Sequence, residues 1–473
     1  MVSPAESREP VQMQRTAQEI AVAVRTAQLS AVEVMQTHLS RIAAINDSIN
    51  AVTATFADRS LAAAREVDEA VSAGLDPGPL AGVPFTVKEN IDLTWSPTTN
   101  GWRGAMENIP PEDAVIVSRM RAAGAVPVGR GNMSDFGMRW DTDNELFGRT
   151  LNPWNRHRTA GGSSGGDAAA VATGMSSIGL GNDFGGSLRI PAHAVGVCAV
   201  RPSHGRVPRS AVCGEGVAMT LQQFSVNGPI ARNVADLELA FQVLLGSDPR
   251  DGVSVDAVAL DPDSAPRRVG VVRGAAGWPV EPGVAASIDK AVDALGAAGW
   301  DVVEIDLPRL EQAATSWRRL ACTDMLFTLD PADLAVPLGE AATAFMRDST
   351  AAARPYETAR EYADAWAQRV VVAAEWRQLQ QHIPLILGPV LASGIPAVDF
   401  DLGGQPQAMD AWRSLWLTLA ANFLGLPAVA VPTGLDAASL PTGVQVIGPM
   451  NGDEVALRAA RDIEMACVWP GTA

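Results

Sequence analysis

Residues 159–190, TAGGSSGGDAAAVATGMSSIGLGNDFGGSLRI, hold two glycine-rich turns around an alanine-rich run and a short apolar run. Their patterning predicts a helix over Asp167–Thr173 and a strand over Ser177–Gly181. The second turn, Asn182-Asp183-Phe184-Gly185-Gly186-Ser187-Leu188-Arg189-Ile190-Pro191, leaves that strand and enters a helix or turn at the proline. Glycine lets the backbone curl so that successive N–H groups converge on one concavity, which is how main chain alone builds an oxyanion hole. Ser187 stands at the rim, where a nucleophile belongs. The competing reading is a capping serine in a glycine turn.

The first turn, Ala160-Gly161-Gly162-Ser163-Ser164-Gly165-Gly166, lies 24 positions before Ser187. It lacks the Lys-Ser/Thr ending of a phosphate-binding loop. Gly161, Ser163 and Gly165 match G-x-S-x-G, but the preceding NRHRTA is no apolar strand, as a nucleophile elbow requires. A flexible loop is the other reading. Further upstream, Gly82-Val83-Pro84-Phe85-Thr86-Val87-Lys88 predicts a strand ending in lysine. Of 36 basic residues only Lys88 and Lys290 are lysine. Arginine keeps its proton in proteins, so a retained lysine is a candidate for a group that must give its proton up. Burial would lower its pKa and make it a base. Lys290 ends a Ser-Ile-Asp-Lys stretch resembling S-x-x-K, yet it falls on a predicted amphipathic helix without companion motifs. The five histidines (His38, His157, His193, His204, His382) stand in no triad-like context.

Outward from these turns, residues 11–72 read as helical, with Ser30 and Glu33 as a capping box. Helix is predicted over Asp113–Ala123 and strand over Ala125–Val128, then helix over Asn233–Leu245. Later strands are expected at Arg268–Val272, Val302–Ile305, Pro384–Leu387, Ala428–Val431 and Gly443–Ile447. Helices around 282–298, 308–328, 357–381, 407–423 and 453–466 separate them. This alternation predicts an α/β fold with a buried sheet. The chain reads as one domain over 1–473: the helical segment 11–72, a core at 80–240, a linker-like excursion at 246–268, and a second half at 268–473.

A formal net charge of −17 disfavours nucleic acid and anionic membrane as partners. No apolar run reaches the ~18–20 residues of a membrane helix, and MVSPAESREPVQMQ lacks a secretory pattern. The four cysteines have no metal-type spacing. The expectation is a reduced, cytoplasmic protein without a metal.

The order Lys88, Gly-Gly-Ser163-Ser-Gly-Gly, Asp183-Phe-Gly-Gly-Ser187-Leu-Arg-Ile-Pro resembles the amidase signature family. AGVPFTVKENID, GNMSDFG (131–137), FGRTLNPWN, RPSHGRVP, NFLGLPAVAVPTG and LPTGVQVIGP extend the likeness over about residues 15–470. The resemblance implies a large mixed sheet covered by helices on both faces. It implies a Ser–Ser–Lys triad of Ser187 (nucleophile), Ser163 (bridge, after a cis peptide) and Lys88 (base). The N–H groups of Phe184, Gly185, Gly186 and Ser187 would form the oxyanion hole, with Asp183 and Arg189 as loop scaffolding. Met133, Gly137 and Met138 would border the acyl pocket, with Trp140 and Trp416 as candidate apolar wall. Phe184 departs from the smaller residue usual there, and its ring would narrow that pocket. The implied substrate is a small acyl amide or hydrazide, no cofactor is needed, and family precedent points to a homodimer. The alternative is the amidase-like subunit of a glutamine-dependent tRNA amidotransferase; a catalytically dead binding protein is a third reading.

Overall fold

Apolar residues alternate along the strands of this chain, and successive ones enter two different cores. In a computed structural model describing residues 15–209, 217–275, 277–278 and 280–467, eleven strands form one sheet: β1 (Val52–Thr55), β2 (Pro84–Lys88), β3 (Val126–Gly131), β4 (Ile178–Asp183), β5 (Cys198–Arg201), β6 (Val226–Ala231), β7 (Arg268–Val271), β8 (Asp301–Glu304), β9 (Leu385–Pro389), β10 (Ala428–Leu435) and β11 (Pro441–Ile447). Val429, Val431, Leu385, Leu387, Val444 and Val446 pack into one apolar cluster. Their neighbours Ala428, Ala430, Ile386 and Ile447 pack into the other. Side chains along a strand point to opposite faces in turn, so a sheet with two apolar sides must be covered on both. Helices Val234–Leu244, Pro282–Ala297 and Asp453–Ala466 cover the first face, and Leu310–Thr328, Ala359–Gln380 and Trp416–Leu424 the second.

The strand order is β1-β3-β2-β4-β6-β5-β10-β11-β9-β7-β8. β2 runs parallel to both β3 and β4, and β7 is parallel to β8 and β9; the remaining pairs are antiparallel. The mixed α/β architecture expected from the sequence is therefore present. Strands from both halves share the sheet through the β5–β10 pairing. Residues 246–267 carry neither helix nor strand.

Several expectations need correction. The segment 11–72 is not wholly helical: β1 interrupts it between helices Ala31–Ile49 and Ala57–Ser72, pairing with β3. Residues 11–14 lie outside the described residues. The predicted helix 407–423 is two, Gln405–Ser414 and Trp416–Leu424, broken at Leu415. The Ser30–Glu33 capping box is formed, and both of its hydrogen bonds are present. Among the described residues no helix is long and apolar enough to cross a membrane.

The alanine-rich helix forms over Gly165–Ala172, and every residue of it is buried. Its small side chains let it lie directly against the sheet. At Gly166 the approach is closest: an added Cβ would meet Asn132 N at 2.1 Å and Ala51 O at 2.6 Å. These are backbone atoms that no rotamer change relieves. Gly166→Ala should therefore destabilise the fold by about 1–3 kcal/mol, the usual cost of overpacking, measurable by denaturant unfolding. An unchanged midpoint would mean that the helix shifts freely on the sheet.

Candidate active site

Because β2 and β4 are parallel, their C-terminal ends lie side by side, and the outer end of parallel strands is where α/β sheets place ligand crevices. Lys88 is the last residue of β2 and has no solvent exposure. Its Nζ donates to Ser163 Oγ, Ser164 Oγ and Asn182 Oδ1, each at 2.8 Å. Asn182, near the end of β4, is oriented by its own donation to Asn90 Oδ1 at 2.8 Å. The two serines stand at the start of helix Gly165–Ala172, and the Gly162–Ser163 peptide is cis. Burial brings the Lys88 pKa down from its usual 10.5 to about 7, although the negative charges of Asp167 and Asp183 pull the other way. The positive end of the buried helix also disfavours an ammonium there. A large share of the amine is thus free of its proton near neutrality.

Ser164 Oγ also reaches Asn182 O at 3.4 Å, so its hydrogen has an acceptor. Asn182 Oδ1 only accepts. When Lys88 is neutral, the hydroxyl left to donate to its lone pair is that of Ser163.

The Ser187 loop is organised by Asp183. One carboxylate oxygen accepts from Gly186 N–H at 2.8 Å and the other from Leu188 N–H at 3.3 Å. Arg189 pairs with the same carboxylate at 3.0 and 3.1 Å, and Asn422 donates to it at 2.8 Å. Burial alone would raise the Asp183 pKa, but Arg189, Arg201 and Asn422 more than offset it, and the carboxyl lies far below the ordinary range. The scaffolding role expected for Asp183 and Arg189 is thus visible as hydrogen bonds. One candidate donor is spent: the Gly186 N–H is given to Asp183. The N–H groups of Phe184, Gly185 and Ser187 meet no acceptor among the described residues. The two glycine turns are joined by Ser164 N–H donating to Ser187 O at 3.3 Å. No hydrogen bond joins the two hydroxyls of Ser163 and Ser187 among the described residues.

The expected pocket residues gather around these turns. A Cβ on Gly137 would stand 3.1 Å from Ser163 Oγ and 3.3 Å from Met133 Cε. Trp140 donates its indole N–H to Gly185 O at 3.0 Å, and Met138 and Phe184 border the second apolar core. Trp416 is fully buried there and forms no exposed wall. The aromatic neighbours of Phe184 are instead Trp317, with ring centroids 5.0 Å apart, and Phe224 at 6.2 Å. Trp412 links Trp317 (5.7 Å) to Trp140 (4.7 Å). Two cavities of about 200 and 460 Å³ open beside the 133–138 loop, with Asp135 and Glu145 lining both. Sequence reasoning missed Ser164, Asn182 and Trp317. Ser164 was signalled by the serine doublet; Trp317 comes from a remote helix and had no local signal.

Lys290 lies exposed on helix Pro282–Ala297, and Ser287 Oγ is engaged with Thr433 Oγ1 at 2.6 Å, so the S-x-x-K resemblance carries no site. His193 is buried, and burial lowers its pKa to about 4.

A family model described as Amidase matches residues 33–457. An indoleacetamide hydrolase of Bradyrhizobium diazoefficiens is 35% identical over 421 residues, covering 88% of this chain and 79% of its own. A glutamyl-tRNA(Gln) amidotransferase subunit of Synechococcus sp. is 33% identical over 440 residues, with 86% and 88% covered. Among solved structures, a bacterial aryl acylamidase of the amidase signature family superposes with a TM-score of 0.83 at 27% identity, covering 96% of each chain. The chain belongs to the amidase signature family, hydrolases acting on carbon–nitrogen bonds.

Proposed function

We propose that the chain is a stand-alone amidohydrolase for small amides with an aromatic acyl group, working through Ser187, Ser163 and Lys88. The observation that carries this reading is a buried lysine amine, with a pKa near neutrality, 2.8 Å from a serine hydroxyl. Neutral Lys88 takes the Ser163 proton as Ser163 takes that of Ser187. Ser187 Oγ bonds to the acyl carbon, and the carbonyl electron pair moves onto oxygen. The N–H groups of Phe184, Gly185 and Ser187 hold that oxyanion. Collapse breaks the C–N bond, and the proton returns through Ser163 to the leaving nitrogen. Water then attacks the acyl-enzyme by the same relay and frees the acid. The aromatic preference is supported by the half-buried Phe184 ring on the loop itself and by likeness to an indoleacetamide hydrolase.

Likeness to glutamyl-tRNA(Gln) amidotransferase subunits favours a second reading, in which the chain is one component of a larger complex. That reading requires glutaminase activity and co-purifying proteins. The stand-alone reading requires the purified chain to hydrolyse aryl amides by itself.

Ser187→Ala and Lys88→Ala should each lower kcat on an aryl amide by ~10⁴-fold or more, the scale seen when one member of a catalytic set is lost. Below about pH 7, kcat/KM should fall tenfold per unit as Lys88 takes up its proton. A flat profile down to acid pH would remove Lys88 from the base role. A substrate panel of amides, hydrazides, ureas and esters, with wild type beside both variants, sets the acyl and leaving-group preference.

Asp167, on the buried helix, gives an independent handle. It is fully buried, and neither carboxylate oxygen has a well-formed hydrogen bond. Burial pushes its pKa up, and the Thr86 hydroxyl and Lys88 only partly offset this. A carboxyl with a raised folded pKa favours the fold while protonated, and that advantage is lost as pH climbs past the ordinary carboxylate range through the raised value. Asp167→Asn should therefore gain Tm over the parent, with a larger gain near about pH 8 than near about pH 5. An equal difference at both pH values would show that the carboxyl titrates as it does in the unfolded chain.

A further inference from the structure

Trp317 lies buried on helix Leu310–Thr328, 133 residues along the chain from Phe184, whose carbonyl oxygen accepts its indole N–H at 3.1 Å. Its ring lies so close to Gly185 that an added Cβ would meet it at 2.6 Å. The Phe184–Gly185 peptide is trans, since the Gly162–Ser163 bond is the one cis peptide among the described residues. In a trans peptide the C=O and N–H point in opposite directions. Holding the Phe184 carbonyl toward the helix therefore turns the Gly185 N–H away from it, into a direction where no acceptor of the described residues meets it. The next peptide plane behaves differently. Trp140 holds its carbonyl, Gly185 O, at 3.0 Å, and its N–H, on Gly186, closes on Asp183 at 2.8 Å. Two consecutive glycines leave these planes little torsional restraint of their own, so the clamp must come from outside the loop.

We propose that Trp317 is a positioning residue for acyl transfer, its indole N–H fixing the Phe184–Gly185 peptide so that the Gly185 N–H faces the developing oxyanion. This rests on the reading of Ser187 as the acylated residue. Trp317 touches no reacting atom; it acts through one peptide plane.

The test replaces Trp317 with benzothienylalanine, which puts sulfur in place of the indole N–H and keeps the ring's shape, with Trp317→Phe in parallel. The same two replacements at Trp412 are the comparison. That ring packs 5.7 Å from Trp317 and is buried alike, but its N–H has no hydrogen-bond partner among the described residues. Kinetic constants are read on an aryl amide, and affinity on an aryl boronic acid, whose serine adduct mimics the tetrahedral anion. At Trp317, kcat and boronate affinity should fall together by about tenfold, less than the ~10²–10³ for outright loss of an oxyanion donor, while KM stays within about twofold. At Trp412 the isostere should leave boronate affinity within about twofold of the parent, since no donor is removed. An unchanged kcat at Trp317, a loss confined to KM, or an equal loss at Trp412 would overturn the proposal while leaving the Ser187 reading intact. Full activity of Ser187→Ala in the same assay would overturn both.

Discussion

A primary amine sealed from solvent must find every partner inside the protein, and Lys88 constrains the site around it for that reason. An isolated buried ammonium is costly, so it either pairs with a carboxylate or surrenders its proton. Here its three direct neighbours are neutral oxygens: two hydroxyls and an amide. They satisfy the N–H groups without adding the charge that would pin the proton in place. The nearby acids act from outside this shell and only partly restore the ammonium. The arrangement depends on two parallel strands ending at the same level, and on a helix small enough to bring a serine pair over them.

The second constraint is Asp183, whose charge is kept rather than lost. It closes the loop on itself through Gly186 and Leu188, and ties it to the other half of the chain through Arg189. Arg189 in turn reaches Gln445 on β11 at 2.6 Å and Thr418 O on helix Trp416–Leu424 at 3.3 Å. A buried ion pair of this kind contributes little net stability, because desolvation consumes most of its attraction. Its consequence is geometric: the loop is braced by Asn422 and Gln445, 233 and 256 positions beyond Arg189. A similar brace holds the residues after the 133–138 loop, where Arg139 meets Asp401 at 2.7 Å and Asp399 at 2.9 Å. Regions 80–240 and 268–473 are thus energetically joined at the site as well as across the sheet.

This dependence on distant residues explains what could be read from the sequence alone. Lys88, Ser163, Ser187 and their glycine turns were legible because each lies in a short motif with its own chemistry. Most of the long helices were legible from periodicity, though the 14-residue helix Glu340–Ala353 was missed, and the strands β7 to β11 were legible from apolar runs bounded by turns. β5 and β6 were missed: Cys198–Arg201 is only four residues long and ends in a buried arginine, and Val226–Ala231 contains glycine and proline. β1 is a four-residue strand between two helices, with a pattern too short to break a helical reading. The break at Leu415 has no glycine or proline to announce it. Trp317 and Trp412 read as ordinary helix residues; their contacts with the loop and with one another exist only once the chain has folded. Asp167 was hidden in an alanine run, where a polar residue reads as solvent-facing until the whole helix proves to be buried.

Proton affinity also governs which cation can occupy which buried place. Four arginines, at 130, 139, 189 and 201, are among the largest fully buried side chains. Each is met by carboxylates or by backbone carbonyls that suit a guanidinium fork. Arg130 is the instructive neighbour, because it caps the chain just beyond β2, donating to the carbonyl oxygens of Lys88 and Ile91. Two basic side chains are therefore buried around the same strand end. One is held mainly by backbone carbonyls spread along its fork and keeps its charge; the other is held by hydroxyls and an amide and is driven toward neutrality. An arginine at position 88 would fill the same space with a group that cannot part with its proton at any pH the fold survives. The exposed Lys290 shows that lysine survives here for other reasons too, so rarity alone marks no base. What sets Lys88 apart in the described chain is a buried primary amine against serine hydroxyls, with no carboxylate in direct contact.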